Sequence, residues 1–172
     1  MPTIELLGPE QARAWLPGLI EILRDSVDGG ASVGFLPPVG DDEARAYWHE
    51  VIDDVALGAR LLLAARQGDA PIGTAQLALV SKPNGRHRAE VQKLLVHSRA
   101  RRRGVAAALM EAIERAARSA GRSLLVLDTR QGDPSEQLYL KCGFTLAGVI
   151  PQYALNGSGG ADPSAFYYKV LL

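Results

Sequence analysis

A chain of 172 residues with 19 Lys and Arg against 19 Asp and Glu carries no net charge, which removes any global electrostatic pull toward nucleic acid or an anionic membrane. One domain over residues 1–172 is expected, long enough to bury a core without disulfides or metals. The single cysteine, Cys142, excludes an internal disulfide, no apolar run nears the ~20 residues that span a bilayer, and the N-terminus lacks the basic and apolar regions of a signal peptide, so a cytoplasmic location is expected.

Residues 3–6 read as a first strand and Gly8-Pro9 as a helix start, with proline where the missing N–H costs nothing. Pro17 interrupts, and a second helix carries Leu16, Leu19, Ile20, Leu23 and Val27 on one side. Residues 29–38 hold too much glycine and proline for a regular element and read as a shaped loop bearing Val33 and Phe35. Asp41 and Asp42 are expected to cap a third helix with Ala44, Tyr47, Trp48, Val51, Ile52 and Val55 as its buried stripe and Gly58 as its end. Residues 60–66 and 71–81 form a hairpin around Gly68-Asp69. The turn Lys82-Pro83-Asn84-Gly85 leads into a strand over 87–97.

A long helix begins near Gly104, with Val105, Leu109, Ala112, Ile113, Ala116 and Ala120 inward and Glu111, Glu114, Arg115 and Arg118 outward. Residues 124–127 are a short continuous apolar run of the kind buried in a parallel pairing. Asp133-Pro134-Ser135-Glu136 has the form of a capping box and opens a helix that runs to Gly143. Residues 144–150 and 165–171 close the chain as two strands around a glycine-rich loop. This order implies an α+β domain in three layers.

The junction between the 87–97 strand and the long helix is suited to an anion. The first N–H groups of a helix have no intrahelical partner and sit at the positive end of its dipole. Gly104 and Ala106 leave room for close approach, and Arg101, Arg102 and Arg103 add positive charge.

Arg101-x-x-Gly104-x-Ala106, preceded by Leu94-x-Val96, resembles the acyl-CoA pyrophosphate loop of the GNAT N-acetyltransferases, with Ser98 where that family usually has proline. The stretch 135–144, bearing Leu138-Tyr139 and ending in Gly143-Phe144, is similar to the family's second signature. Segments 29–35, 82–85, 88–94 and 127–129 resemble small-molecule, toxin-inactivating members. The resemblance implies a GNAT fold, a mixed and splayed sheet of six to seven strands flanked by helices on both faces. It implies transfer of the acetyl group of acetyl-CoA to a primary amine of a small molecule by direct attack, without a covalent enzyme intermediate or a metal. A resistance role follows by analogy. Many relatives are homodimers, and no apolar stripe in this chain decides that point.

On this reading Leu94, Leu95, Val96, Arg101, Arg102, Arg103, Gly104, Val105 and Ala106 hold acetyl-CoA, a backbone N–H near Leu95 or Val96 serving the thioester carbonyl. Glu90 and Asp128 are candidates to take the proton of an amine whose ordinary pKa is roughly 8 to 10. Which of them is the base stays open: Glu90 competes with a salt bridge to Arg88 or Lys93, and Asp128 with a capping or turn role before Gly132. Tyr139 is implied as the acid for the departing thiolate, against the reading of a core tyrosine. Val33, Phe35 and Tyr153 are candidates to line the acceptor pocket. Cys142 reads as an inert thiol, and His49, His87 and His97 show no metal-ligand spacing. Two alternatives accompany this reading: a non-catalytic acyl-CoA sensor, and a protein N-acetyltransferase. Nucleic-acid binding through Arg99, Arg101, Arg102 and Arg103 is disfavoured, because the chain is neutral and a pyrophosphate already accounts for the cluster.

Overall fold

The computed structural model describes residues 2–171. Its strands are β1 (Thr3–Leu7), β2 (Arg60–Gln67), β3 (Ala70–Leu79), β4 (Arg88–Val96), β5 (Leu124–Arg130), β6 (Thr145–Leu155) and β7 (Ala161–Val170). They form one seven-stranded sheet in the order β1-β2-β3-β4-β5-β7-β6. Helices α1 (Pro9–Ala14), α2 (Leu16–Asp28) and α3 (Asp41–Ala56) share one apolar core, and α4 (Val105–Ser119) and α5 (Ser135–Lys141) contribute to the other. The fold is the mixed, two-sided α+β architecture expected of the sequence. No helix among the described residues is long and apolar enough to cross a membrane.

The run Leu61-Leu62-Leu63-Ala64-Ala65 lacks polar alternation because β2 is covered on both faces. Leu62 and Ala64 pack with Leu19, Leu23, Trp48 and Ile52, whereas Leu63 and Ala65 face Leu109, Met110 and Ile113. Gly73 on β3 lets α4 come close: a Cβ there would lie 3.0 Å from the Leu95 carbonyl oxygen, 3.2 Å from Val105 and 3.3 Å from Leu109.

The feature that makes a site is the opening of the sheet between β4 and β5. These strands run parallel and pair only over Arg88, Ala89 and Glu90 against Leu124, Leu125 and Val126. Beyond that, β5 pairs with β7 alone as far as Arg130. The cause lies on β4, where the register with β3 moves between Thr74↔Leu95 and Gln76↔Gln92. This shift inserts an extra residue, and Lys93 sits there in a left-handed conformation at φ 48°. Such a bulge bends its strand and ends the pairing.

Three local expectations are corrected. Gly40, not an aspartate, is the N-cap of α3; no side chain caps it, while Asp41, Asp42 and Glu43 fill its first turn and gain from the helix dipole instead. Tyr47 is half-buried rather than part of the buried stripe, since it turns its hydroxyl to Gln76. The closing strands are longer than read, with only 156–160 left as the loop between them. Pro151 and Pro163 hid this continuity. Both fall within the register shift between Ile150 and Ala154, where a missing N–H breaks no ladder bond.

Candidate active site

The donor side is built from backbone. After a short 3-10 turn at Ser98–Ala100, Arg102 and Gly104 adopt left-handed conformations at φ 60° and 76°, and α4 starts at Val105. Alternating handedness of this kind turns successive N–H groups toward one concavity. No side chain caps α4 and no acid lies in its first turn, so its leading N–H groups stay open. A Cβ at Gly104 would meet no protein atom within 4 Å, so as far as the protein's own packing goes glycine serves there for its left-handed conformation. Ala106 is half-buried beside it, and Arg102 and Arg103 are exposed.

Arg101 has a different task from its neighbours. Its Nε donates to the Val96 carbonyl at 3.0 Å and its Nη2 lies 3.6 Å from Asp25 of α2. The His97 N–H donates to Ile72 on β3 at 2.9 Å. Strand alternation therefore points the Val96 N–H and C=O away from β3, into the opening. Leu95 and Val105 are buried, and Leu94 and Val96 are half-buried. Asp25 also accepts from the Ser98 N–H at 2.7 Å and from the Ser98 hydroxyl at 2.6 Å, tying the start of the loop to α2. Burial alone would raise the Asp25 carboxyl, but the Ser98 hydrogen bonds and the nearby charges of His97 and Arg101 outweigh it and hold the pKa below the ordinary value.

The opening itself is a cleft of about 360 Å³. It brings together Glu90 from β4, Asp128 from β5, Tyr139 from α5, Val33 from the 29–38 loop and Tyr153 from β6. Glu90 makes no ion pair with Arg88 or Lys93 within 4.0 Å. Asp128 is exposed and accepts from the Ser164 hydroxyl at 2.7 Å, which secures it to β7 rather than to a helix end. Tyr139 is 7 % exposed, with its ring 6.0 Å from that of Phe144 and 6.1 Å from that of Tyr167. Burial, reinforced by Asp133 and Asp128, pushes its hydroxyl pKa well above the ordinary tyrosine value, so it stays protonated. Phe35 does not line the cleft. Its ring packs edge-on against Tyr47 at 5.2 Å and joins the α1–α3 core. Cys142 is half-buried, and burial pushes its thiol up.

The platform for Tyr139 is fixed by carboxylates. Asp133 accepts from the Ser135 N–H at 2.9 Å, and Glu136 reaches back to the Gly132 N–H at 2.5 Å. Asp133 is thus the capping residue that the sequence offers and Pro134 already has helical dihedrals, but Glu136 reaches back to Gly132 instead of the Asp133 N–H that a capping box would use.

Sequence reasoning missed Lys93 as a site residue. It lines the cleft, and its Nζ lies 5.5 Å from the centroid of the Tyr47 ring. Its only sequence signal is one extra residue in the alternation of a strand, visible once the partner register is known.

The sequence model described as the acetyltransferase (GNAT) family matches residues 25–144, well over half of the chain. The structure is similar to the ribosomal-protein-alanine N-acetyltransferase of Brucella melitensis, with 24% identity and a TM-score of 0.81 over 98% of this chain and 99% of that one. It is also similar to an N-acetyltransferase from Staphylococcus aureus Mu50, at 21% identity and a TM-score of 0.83 over 100% and 99%. A putative acetyltransferase from Salmonella typhimurium, solved with its cofactor acetyl-CoA, aligns at 21% identity and a TM-score of 0.79 over 100% and 95%. Identities this low show the fold, while the family match shows the class. The chain belongs to the GNAT acetyltransferase family and is an acetyl-CoA-dependent N-acetyltransferase.

Proposed function

We propose that the protein acetylates a primary amine of a small molecule bound in the β4–β5 cleft. The observation that carries this reading is the convergence of Glu90, Asp128 and Tyr139 on one cleft that opens where the sheet splays. The uncapped start of α4, with no acid in its first turn, fits the pyrophosphate of acetyl-CoA. Bound there, acetyl-CoA supplies a thioester as the acyl donor. The Val96 N–H is turned toward the opening, where a donor can meet charge developing on the acyl oxygen. Glu90 or Asp128 takes the proton of the incoming amine, directly or through water, and the two share the work of keeping it neutral. Tyr139, which burial keeps protonated, hydrogen-bonds the sulfur as it leaves. The proton that the thiolate takes through it is made good by the one released from the amine to Glu90 or Asp128, so no tyrosinate accumulates. A thiolate is already a fair leaving group, so this step is worth at most about 10²- to 10³-fold.

A small acceptor is favoured over a protein terminus because the cleft is bounded by residues 31–34, and by Tyr153 and Ala154 of β6. Its volume suits a compact molecule, the size class that inactivation of a toxin or antibiotic in the cytoplasm requires. Calorimetric titration with acetyl-CoA, followed by thiol release over a panel of small amines, tests the reading. Micromolar binding with acceptor-dependent thiol release is expected, with kcat/KM falling about 10²-fold in Glu90→Gln and recovering as pH approaches that at which the amine loses its own proton. Binding without thiol release on any amine would overturn it.

A further inference from the structure

Of the two cations that line the cleft, Arg130 is committed: it donates to the Gly30 carbonyl at 3.1 Å and lies 3.4 Å from Asp133 and 3.7 Å from Asp162. Arg60, behind the cleft, is equally bound to Asp54, Gln76 and Gln92. Lys93 alone has neither an ion pair within 4.0 Å nor a hydrogen-bond partner for its Nζ among the described residues. The ammonium sits beneath the loop, 3.7 Å from where a Cβ on Gly34 would lie, and against the Tyr47 ring. Its position is costly twice over. A residue other than glycine at φ 48° is strained, and glycine would make the same bulge at lower cost. Burial, and then the charge of Arg60, lower its pKa, with Asp128 and Glu90 opposing only in part. An unpaired cation kept at such a place is explained by a counter-ion that arrives with the substrate.

Resting on the reading of this cleft as the acceptor site, we infer that the acceptor carries a carboxylate as well as its amine. Its amine lies toward Glu90 and Asp128, and its carboxylate pairs with Lys93 beneath residues 31–34. Lys93 is then a specificity-determining residue, and the acceptor is a compact zwitterion of amino-acid type rather than a polyamine or a simple amine. The bulge thereby does two things: it opens the sheet for the donor and presents the cation to the acceptor.

The test is thiol release from acetyl-CoA with matched acceptor pairs that differ only in the carboxylate: lysine and cadaverine, phenylalanine and phenethylamine, methionine and 3-methylthiopropylamine. The wild-type protein is expected to prefer the carboxylate member of its best pair by about 10- to 100-fold in kcat/KM, mostly through KM, the gain from one charge-assisted contact in a cleft. Lys93→Met is expected to reduce that ratio to below about threefold, and Lys93→Arg to retain most of it. Equal or better turnover of the decarboxylated amines by the wild-type protein would overturn the inference while leaving acetyl transfer intact. So would a Lys93→Met protein whose preference is unaltered. Absence of thiol release with every acceptor would instead overturn the reading of the cleft as an acceptor site, and this inference with it.

Discussion

The two helices that follow β4 and β5, α4 and α5, begin in opposite ways. At α5 the Asp133 carboxylate accepts from the Ser135 N–H that opens the helix, and Glu136 stands in the first turn and ties back to Gly132 just before it. At α4 no side chain caps the helix, its first turn is free of acids, and left-handed Arg102 and Gly104 lead into it. Both starts present the same unpaired donors and the same positive dipole end. The difference is in what supplies the negative charge. Internal carboxylates make α5 a rigid mount for Tyr139, whereas α4 keeps its donors for an anion that comes and goes. An open start is not enough to signal a ligand, since α2 too lacks a cap and a first-turn acid; what sets α4 apart is the left-handed pair Arg102 and Gly104 that leads into it.

The division of labour can be broken at either helix. The largest effect is expected from Tyr139→Phe on α5. It should lower kcat about 10²-fold with little change in acetyl-CoA affinity, because the lost hydroxyl acts on the leaving sulfur and not on binding. Steady-state kinetics together with calorimetry separate the two. Next is Ala106→Glu, which gives α4 the acid that its first turn lacks. The exchange should stabilise the fold by about 0.3–1 kcal/mol in thermal melts. It should also weaken acetyl-CoA at least about tenfold, since a carboxylate then occupies the place of the phosphate. Stability gained with no loss of affinity would separate α4 from the donor site. Removing a cap from α5 is the converse. Asp133→Ala is expected to cost about 1 kcal/mol of stability and to reduce kcat a few-fold by loosening Tyr139, without a comparable effect on acetyl-CoA binding.

The same contrast shows which parts of the molecule were legible in the sequence. Features governed by local chemistry could be read directly: the strand and helix order, the arginine turn, the proline-bearing start of α5. Glu90, Asp128 and Tyr139 were named from sequence through resemblance, and the structure brings them to one cleft. What depends on register was hidden. Lys93 looks like any charged residue on a strand until Thr74 is seen opposite Leu95 and Gln76 opposite Gln92. Phe35 was a candidate for the cleft, with core packing as its alternative, because a glycine- and proline-rich loop does not fix which way an aromatic turns; it packs against the Tyr47 ring. Asp25 gave no signal in sequence, because its partners lie more than seventy positions away.

Asp25 provides the mildest and most diagnostic test, since it connects α2 to the donor loop without being part of either helix start. Its carboxylate holds the Ser98 N–H and hydroxyl and lies near Arg101, whose Nε in turn meets the Val96 carbonyl. In Asp25→Asn the shape is kept and the charge is lost. The loop should then sample more conformations, and acetyl-CoA affinity should fall about two- to fivefold at neutral pH, in line with loss of one charge-assisted contact next to the site. The pH dependence gives an independent check. The folded pKa of Asp25 lies below its ordinary 3.8, so its contribution to stability is present above that value and is lost as pH falls through the lower folded pKa. Asp25→Asn should therefore show a shallower acid limb in melts taken below about pH 4, along with its weaker binding at pH 7. A shallower acid limb without any change in acetyl-CoA affinity would mean that the α2 clamp supports the fold alone, and that the α4 start is held open entirely by the handedness of Arg102 and Gly104.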